Sequence, residues 1–291
     1  MNTKIKDNSF YIYINYFFIV LFTIMIIIPL TNVVTSSFAG SRALSEGNFI
    51  LLPSEWSLDN YRAVLHDTSI WTAFLVSAAK TVLGVVTHVF FCSMVAYGLS
   101  KRYLRCRKLY TVMGIITLFF SGGMIPTYLL MKDLHLLNNF WVYIIPQLFS
   151  YYDVIILMNF FRQLPDSLEE AAIIDGAGAW RILLTIVMPL SKPALATIAL
   201  FNGVYQWNDF MTAKLYITTK RALYPLQMKL YEIIVQQQAA AMNSVGSFVV
   251  QTTSKGIQLA TIVVTTVPIL VIYPMLQKHF VSGMMLGSIK E

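Results

Sequence analysis

Residues Arg162–Pro193 read RQLPDSLEEAAIIDGAGAWRILLTIVMPLSKP, a stretch with its own start, turn and stop signals set between two long apolar runs. Asp166 follows Pro165 and precedes Ser167-Leu168-Glu169, so the spacing predicts a helix capped by Asp166, with Glu169 reaching back and both acids favoured at its positive end. The helix is expected to reach about Asp175. Gly176 then offers a backbone free to turn and Gly178 a second loose point, and helical character resumes over Trp180–Met188 until Pro189 and Pro193 interrupt it. The expected product is a knob of two short helices, with small Ala171, Ala172, Ala177 and Ala179 allowing close approach.

What flanks the knob sets its surroundings. The chain has 291 residues, 57% apolar and only 12% charged, against ~25% charged in an ordinary soluble domain. Backbone N–H and C=O groups cannot go unpaired in hydrocarbon, so each apolar run of about 20 residues is expected to be a membrane-spanning helix. Six runs qualify: Phe10–Val34, Trp71–Leu99, Leu109–Met131, Phe140–Phe161, Ala194–Ala213 and Gly256–Gln277. Inside them the only charges are Lys80, Asp153 and Asp209. The first run follows Lys4 and Lys6 but is too long for a secretory signal, and no small-residue cleavage site follows Leu30, so it reads as an uncleaved span. The fold class expected is an all-α membrane protein, a single transmembrane domain over 1–291.

Six spans put both termini on one side. Lys101, Arg102, Arg105, Arg107 and Lys108 crowd one short connection, and the positive-inside rule makes that side cytoplasmic. The inner segments then hold 12 Lys/Arg and 6 Asp/Glu, and the remainder 9 and 8, so almost all of the net charge of +7 lies inside. The connection 162–193 faces the cytoplasm with both termini, while 35–70 and 214–255 face outward. Basic residues distributed in this way serve topology and do not form a nucleic-acid-binding domain. Cys92 and Cys106 have no partner pattern for a disulfide framework or a metal site.

Glu170-Ala171-Ala172, then Asp175-Gly176-Ala177, Ile186 and Pro189, resemble the EAA loop of permease subunits in binding-protein-dependent ABC importers; Met188 stands where that family usually has leucine. Trp207-Asn208-Asp209, Tyr224-Pro225-Leu226-Gln227 and the tail from Phe280-Val281-Ser282-Gly283 to Gly287 are similar to the maltose-permease-like carbohydrate group, in particular its smaller subunit and the branch serving polysaccharide fragments. The resemblance implies a type I ABC importer permease in a bacterial plasma (inner) membrane, working by alternating access. Its implied partners are a second homologous permease, two cytoplasmic ATPase subunits that bind ATP and Mg, an extracytoplasmic solute-binding protein and the lipid bilayer, with no cofactor in this chain. The coupling residues would be Glu169, Glu170, Ala171, Ala172, Asp175, Gly176, Ala177 and Gly178, with Glu170 meeting an arginine of the ATPase and Gly176 setting the angle of the docking helix. A rigid helix held at both ends moves as one body, so motion beneath it tilts the bundle.

Other chemistries find less in the sequence. There is no GxxxxGK[ST] phosphate loop, HExxH or GxSxG, and His66, His88, His135 and His279 are scattered. A passive scaffold explains six spans but not the knob, and an importer of peptides or polyamines would share the architecture.

Ionisable groups within spans are costly and face protein or water, which nominates Asp153, Asp209, Lys80 and His88 for a substrate path. Each has a structural reading beside it: Lys80 snorkelling to the outer interface, His88 a satisfied interior histidine, Asp209 a cap. Tyr151, Tyr152, Tyr205 and Trp207 offer the flat faces and polar tips that sugars need, although such residues also form interfacial belts. Tyr224, Pro225, Leu226 and Gln227 begin the outer segment expected to receive a binding protein.

Overall fold

A computed structural model describes residues 9–45, 52–53, 55–243, 255–271 and 274 of the chain. The described residues form helices and their connections, with one isolated antiparallel bridge between Ala39 and Trp56. In order the helices are α1 (Ser9–Ser37), α2 (Ser41–Ser45), α3 (Asp59–His66), α4 (Thr68–Ser100), α5 (Arg107–Phe119), α6 (Met124–Asp133), α7 (Tyr151–Phe161), α8 (Asp166–Ile174), α9 (Ala179–Ile182), α10 (Met188–Leu190), α11 (Lys192–Asn208), α12 (Met211–Tyr216) and α13 (Leu226–Asn243). A further helix, α14, covers Lys255–Val271.

Among the described residues, α1 and α4 are long and apolar enough to cross a membrane, and the count reaches five if each of three bent pairs is one span. The expected third span is broken: α5 and α6 meet at 114°, at Ser121-Gly122-Gly123, where Gly123 has φ of 88°. The fourth opens as two 3-10 turns, Phe140–Tyr143 and Ile145–Gln147, bent 50° from α7. Ser150 restarts the helix there by accepting the Asp153 N–H on its hydroxyl. The fifth is α11 alone, ending at Asn208 rather than Ala213, and it lies at 85° to Ala179–Leu190. That bend follows from Pro193, which has no N–H for the Pro189 carbonyl. Pro189 likewise has no N–H for the Thr185 carbonyl, and the helix accommodates it with a π-turn over Leu183–Val187. Of the expected sixth span, α14 supplies the described part, and positions 272–273 and 275–277 lie outside the described residues.

The chain divides into two compact units. One holds residues 1–67 and 232–264. Its apolar α1 buries none of the residues in its most hydropathic window. Beyond α1, Asn60 donates from Nδ2 to the Ser37 and Ala39 carbonyls, and the Phe38 and Tyr61 rings lie 4.7 Å apart. The other unit holds 68–231 and 265–291. Here α4 is the mast, with α7 and α11 packed along it. One cluster of buried side chains, including Cys92, Val154, Leu157, Leu183 and Ile198, knits α4, α7 and α11 to the knob. A second, around Val142, Tyr143, Ile217 and Tyr224, closes the other end.

Candidate functional site

The knob of 162–193 forms as two short helices around a glycine, with one difference at its start. Pro165 occupies the capping position of α8 and no side chain caps it. Asp166 is instead the first helical residue, and Glu169 does not reach back. Its carboxylate is held by Lys101 Nζ, through both oxygens. Lys101 in turn lies over the Tyr97 ring, 4.1 Å from its centre. The ion pair outcompetes the expected capping box because a lysine at the end of α4 offers a full charge to a half-buried carboxylate.

The C-terminus of α8 follows the pattern that Gly176 announces. Gly176 has φ of 78°, its N–H donates to the Ile173 carbonyl, and the Ala177 N–H donates to the Ala172 carbonyl at 2.9 Å. This is a Schellman closure, with Ala172 and Ala177 forming its apolar contact. Gly178 is different. Its φ of −75° and ψ of 164° suit any residue, and a Cβ there meets open space.

These constraints decide what α8 presents. Ala172 is buried against the core and Ala177 packs beside it. Glu170, Ala171, Asp175 and Gly178 are exposed. Exposed with them are Ile173 at 59% and Ile174 at 85%. Beside α8 a cavity of about 510 Å³ is lined by Lys101, Arg102, Arg107, Arg162, Glu169 and Glu170 among others. Partial burial, and then the charge of Arg107, pulls the Arg162 guanidinium below its ordinary value.

The intramembrane charges form two pairs. Lys80 is wholly buried, donating to the Asp209 carbonyl at 2.7 Å and lying 3.4 Å from its carboxylate. It does not snorkel. Asp209 also accepts the Thr212 N–H, so the cap reading holds as well. His88 Nδ1 lies 2.6 Å from the Gln147 carbonyl, which can only accept, so that nitrogen carries a proton; Nε2 faces Asp153 at 2.9 Å. Asp153, expected near mid-span, stands in the first turn of α7 with its side chain 13% exposed.

Of the aromatic candidates, Tyr152 and Tyr205 are exposed. Tyr151 is buried, and Trp207 is a packing residue, its Nε1 donating to the Thr265 carbonyl and its ring edge-on to Phe74. Contrary to expectation, the start of the outer segment packs inward. Tyr224, Pro225 and Leu226 are buried, with Leu226 N–H on the Ser77 hydroxyl at 2.8 Å and the Leu223 carbonyl accepting from Tyr143. They anchor the segment and offer no surface to another protein; Gln227 is only partly covered. The tail motif beginning at Phe280 lies outside the described residues.

Sequence reasoning missed Ser77, Gln147 and Asn138, and it placed Lys101 in the basic connection without its partner Glu169. The Asn138 side chain accepts from the N–H groups of both Thr218 and Thr219 at 2.8 Å. Partners tens of residues away carry no local signal, although Asn138 beside Asn139 does mark a turn.

Comparison with known proteins gives a consistent result. Residues 93–285 match the family model described as binding-protein-dependent transport system inner membrane component. The chain is 41% identical over 277 residues to the polygalacturonan/rhamnogalacturonan transport system permease protein YtcP of Bacillus subtilis (strain 168), covering 94% of this chain and 96% of that one. It is 41% identical over 264 residues to protein LplC of the same organism, covering 91% and 89%. Among solved structures, one chain of a bacterial ABC transporter involved in the import of the acidic polysaccharide alginate superposes with a TM-score of 0.84 at 30% identity, covering 96% of this chain and all of that one.

Proposed function

Because the chain belongs to the family of binding-protein-dependent transport system inner membrane components, we propose that it is one of two membrane-spanning subunits of an ATP-driven importer that passes oligosaccharides from an extracytoplasmic binding protein into the cytoplasm. The chain is a permease component with the helical fold of that family and not itself the ATP-hydrolysing subunit. ATP and Mg belong to two partner ATPases, and a second permease completes the pore. The substrate class is an acidic polysaccharide fragment. Support comes from YtcP, named for polygalacturonan and rhamnogalacturonan, and from the alginate importer.

The observation that carries this reading is the division of faces on α8. Ala172 and Ala177 tie it to the bundle core, while Glu170, Ile173 and Ile174 project away as a mixed charged and apolar surface. A partner that grips the outer face moves the core through the inner one. Closure of the ATPases on ATP turns the pore outward to a docked binding protein, and hydrolysis returns it inward. Each ligand can bias that cycle only through unequal affinity for the two states. In this reading both termini and α8 lie in the cytoplasm, as the positive-inside rule expects.

The test is purification of the tagged chain in mild detergent, with mass spectrometry of what accompanies it. An ATPase and a second permease are expected, and Glu170→Lys should deplete the ATPase selectively. Recovery of the chain alone from stably folded material would reject the importer in favour of a scaffold.

A further inference from the structure

The buried His88 pair holds in place an exposed polar pair at half depth in the bundle. Gly84 and His88 are the 17th and 21st residues of the 33-residue α4, roughly 24 to 30 Å from one end and 18 to 24 Å from the other at ~1.5 Å per residue. Gln206 lies against Gly84, and the Gln147 carbonyl receives His88. Their neighbours are therefore at the same level, where Gln147 Nε2 donates to the Tyr205 hydroxyl at 3.3 Å. Tyr205 is 48% exposed and Gln147 partly so.

Facing lipid at that depth would leave the remaining donors and acceptors of this carboxamide and phenol unpaired, so water, solute or another chain is expected to cover them. The surroundings favour a solute. Along α11, Phe201, Tyr205 and Asn208 are exposed at i, i+4 and i+7, one stripe in which aromatic faces and polar groups alternate. A sugar ring presents an apolar face to an aromatic ring and hydroxyls to amides and phenols. Among the described residues, the Gln147 amide spends one N–H on Tyr205, leaving its second N–H and its oxygen for such hydroxyls.

We propose that Gln147 and Tyr205 form a carbohydrate-contacting pair at the midpoint of the translocation path, with His88 and Asp153 as buried positioning residues that fix the Gln147 backbone. This rests on the import reading above and adds where, and with which groups, the chain touches its cargo.

The test uses the whole complex with its binding protein in proteoliposomes, trigalacturonate as the sugar, and a charged, water-soluble methanethiosulfonate as the probe. In a Cys106→Ser background, Gln147→Cys should react with the probe in at least one of the nucleotide-free and ATP-trapped states. Saturating trigalacturonate delivered by the binding protein should slow that reaction about tenfold. Gln147→Leu and Tyr205→Phe should each reduce trigalacturonate uptake per assembled complex about tenfold. If the Gln147→Cys thiol is unreactive in both states, the pair is sealed against protein or lipid; if it reacts but sugar gives no protection, the pair meets water without cargo. Either result overturns the proposal. Absence of trigalacturonate uptake by the parent complex would count separately, against the acidic-sugar reading.

Discussion

At the scale of single residues, the two glycines of the knob separate conformation from space. Gly176 and Gly178 both stand free of neighbours, yet only Gly176 has a positive φ, at 78°. An added Cβ at Gly176 costs about 1–2 kcal/mol in the left-handed region, and at Gly178 it restricts the unfolded chain without penalty. Gly176→Ala should therefore impair coupling, seen as ATPase activity that rises relative to sugar uptake, and Gly178→Ala should leave the ratio unchanged. Equal effects of the two would show that loop bulk matters and the Schellman geometry does not. A second residue-level test concerns Lys101 and Glu169. Their side chains are only 14% and 24% exposed, and the pair ties the end of α4 to α8, so the consequence of its loss should be mechanical. Lys101→Glu and Glu169→Lys should each reduce transport several-fold and the double exchange recover most of it, measured as uptake per assembled complex. A double variant no better than either single one would remove the pair from the coupling route.

At the scale of elements, the buried charges decide more than the apolar runs do. Lys80 and the Asp209 side chain are 0% and 9% exposed. Lys80→Met leaves Asp209 uncompensated in the core, a loss of roughly 3–5 kcal/mol. Adding Asp209→Asn should recover much of that loss, because Asn still accepts the Thr212 N–H while carrying no charge. Thermal unfolding of the purified variants in detergent checks this, and equal midpoints for the single and double variants would dismiss the pairing. The same pair shows what a sequence can disclose. The helical class was legible from the length of the apolar runs, and the knob because Pro165, Gly176 and Pro193 act on their immediate neighbours. The breaks in the third, fourth and fifth spans were signalled by Gly122-Gly123, Pro146 and Asp209, but an apolar run of sufficient length reads as continuous whatever its bends. Lys80 with Asp209 was not legible as a pair, since 129 residues separate them. The burial of Tyr224–Leu226 depends likewise on Ser77 and Tyr143, far away in the chain.

At the scale of the whole molecule, orientation is a matter of charge and is testable on the native chain. Of the two cysteines, Cys92 is buried in the core of α4 and Cys106 is exposed in the basic connection before α5. Arg102, Arg105, Arg107 and Lys108 surround Cys106 in the chain, and translocating such a cluster across a bilayer opposes the membrane's own charge bias. Each basic group near an anionic cytoplasmic leaflet contributes about 1 kcal/mol, so the connection as a whole holds its side firmly. A membrane-impermeant maleimide should label the chain at Cys106 in inverted vesicles and leave it unlabelled in right-side-out vesicles, with Cys92 silent in both. Labelling from outside would reverse the topology, placing α8 beyond the reach of any cytoplasmic ATPase and removing the energy source from the importer. In the proposed import cycle these basic side chains would thus bear on the direction of transport, because the face that carries them would be the face on which α8 is driven.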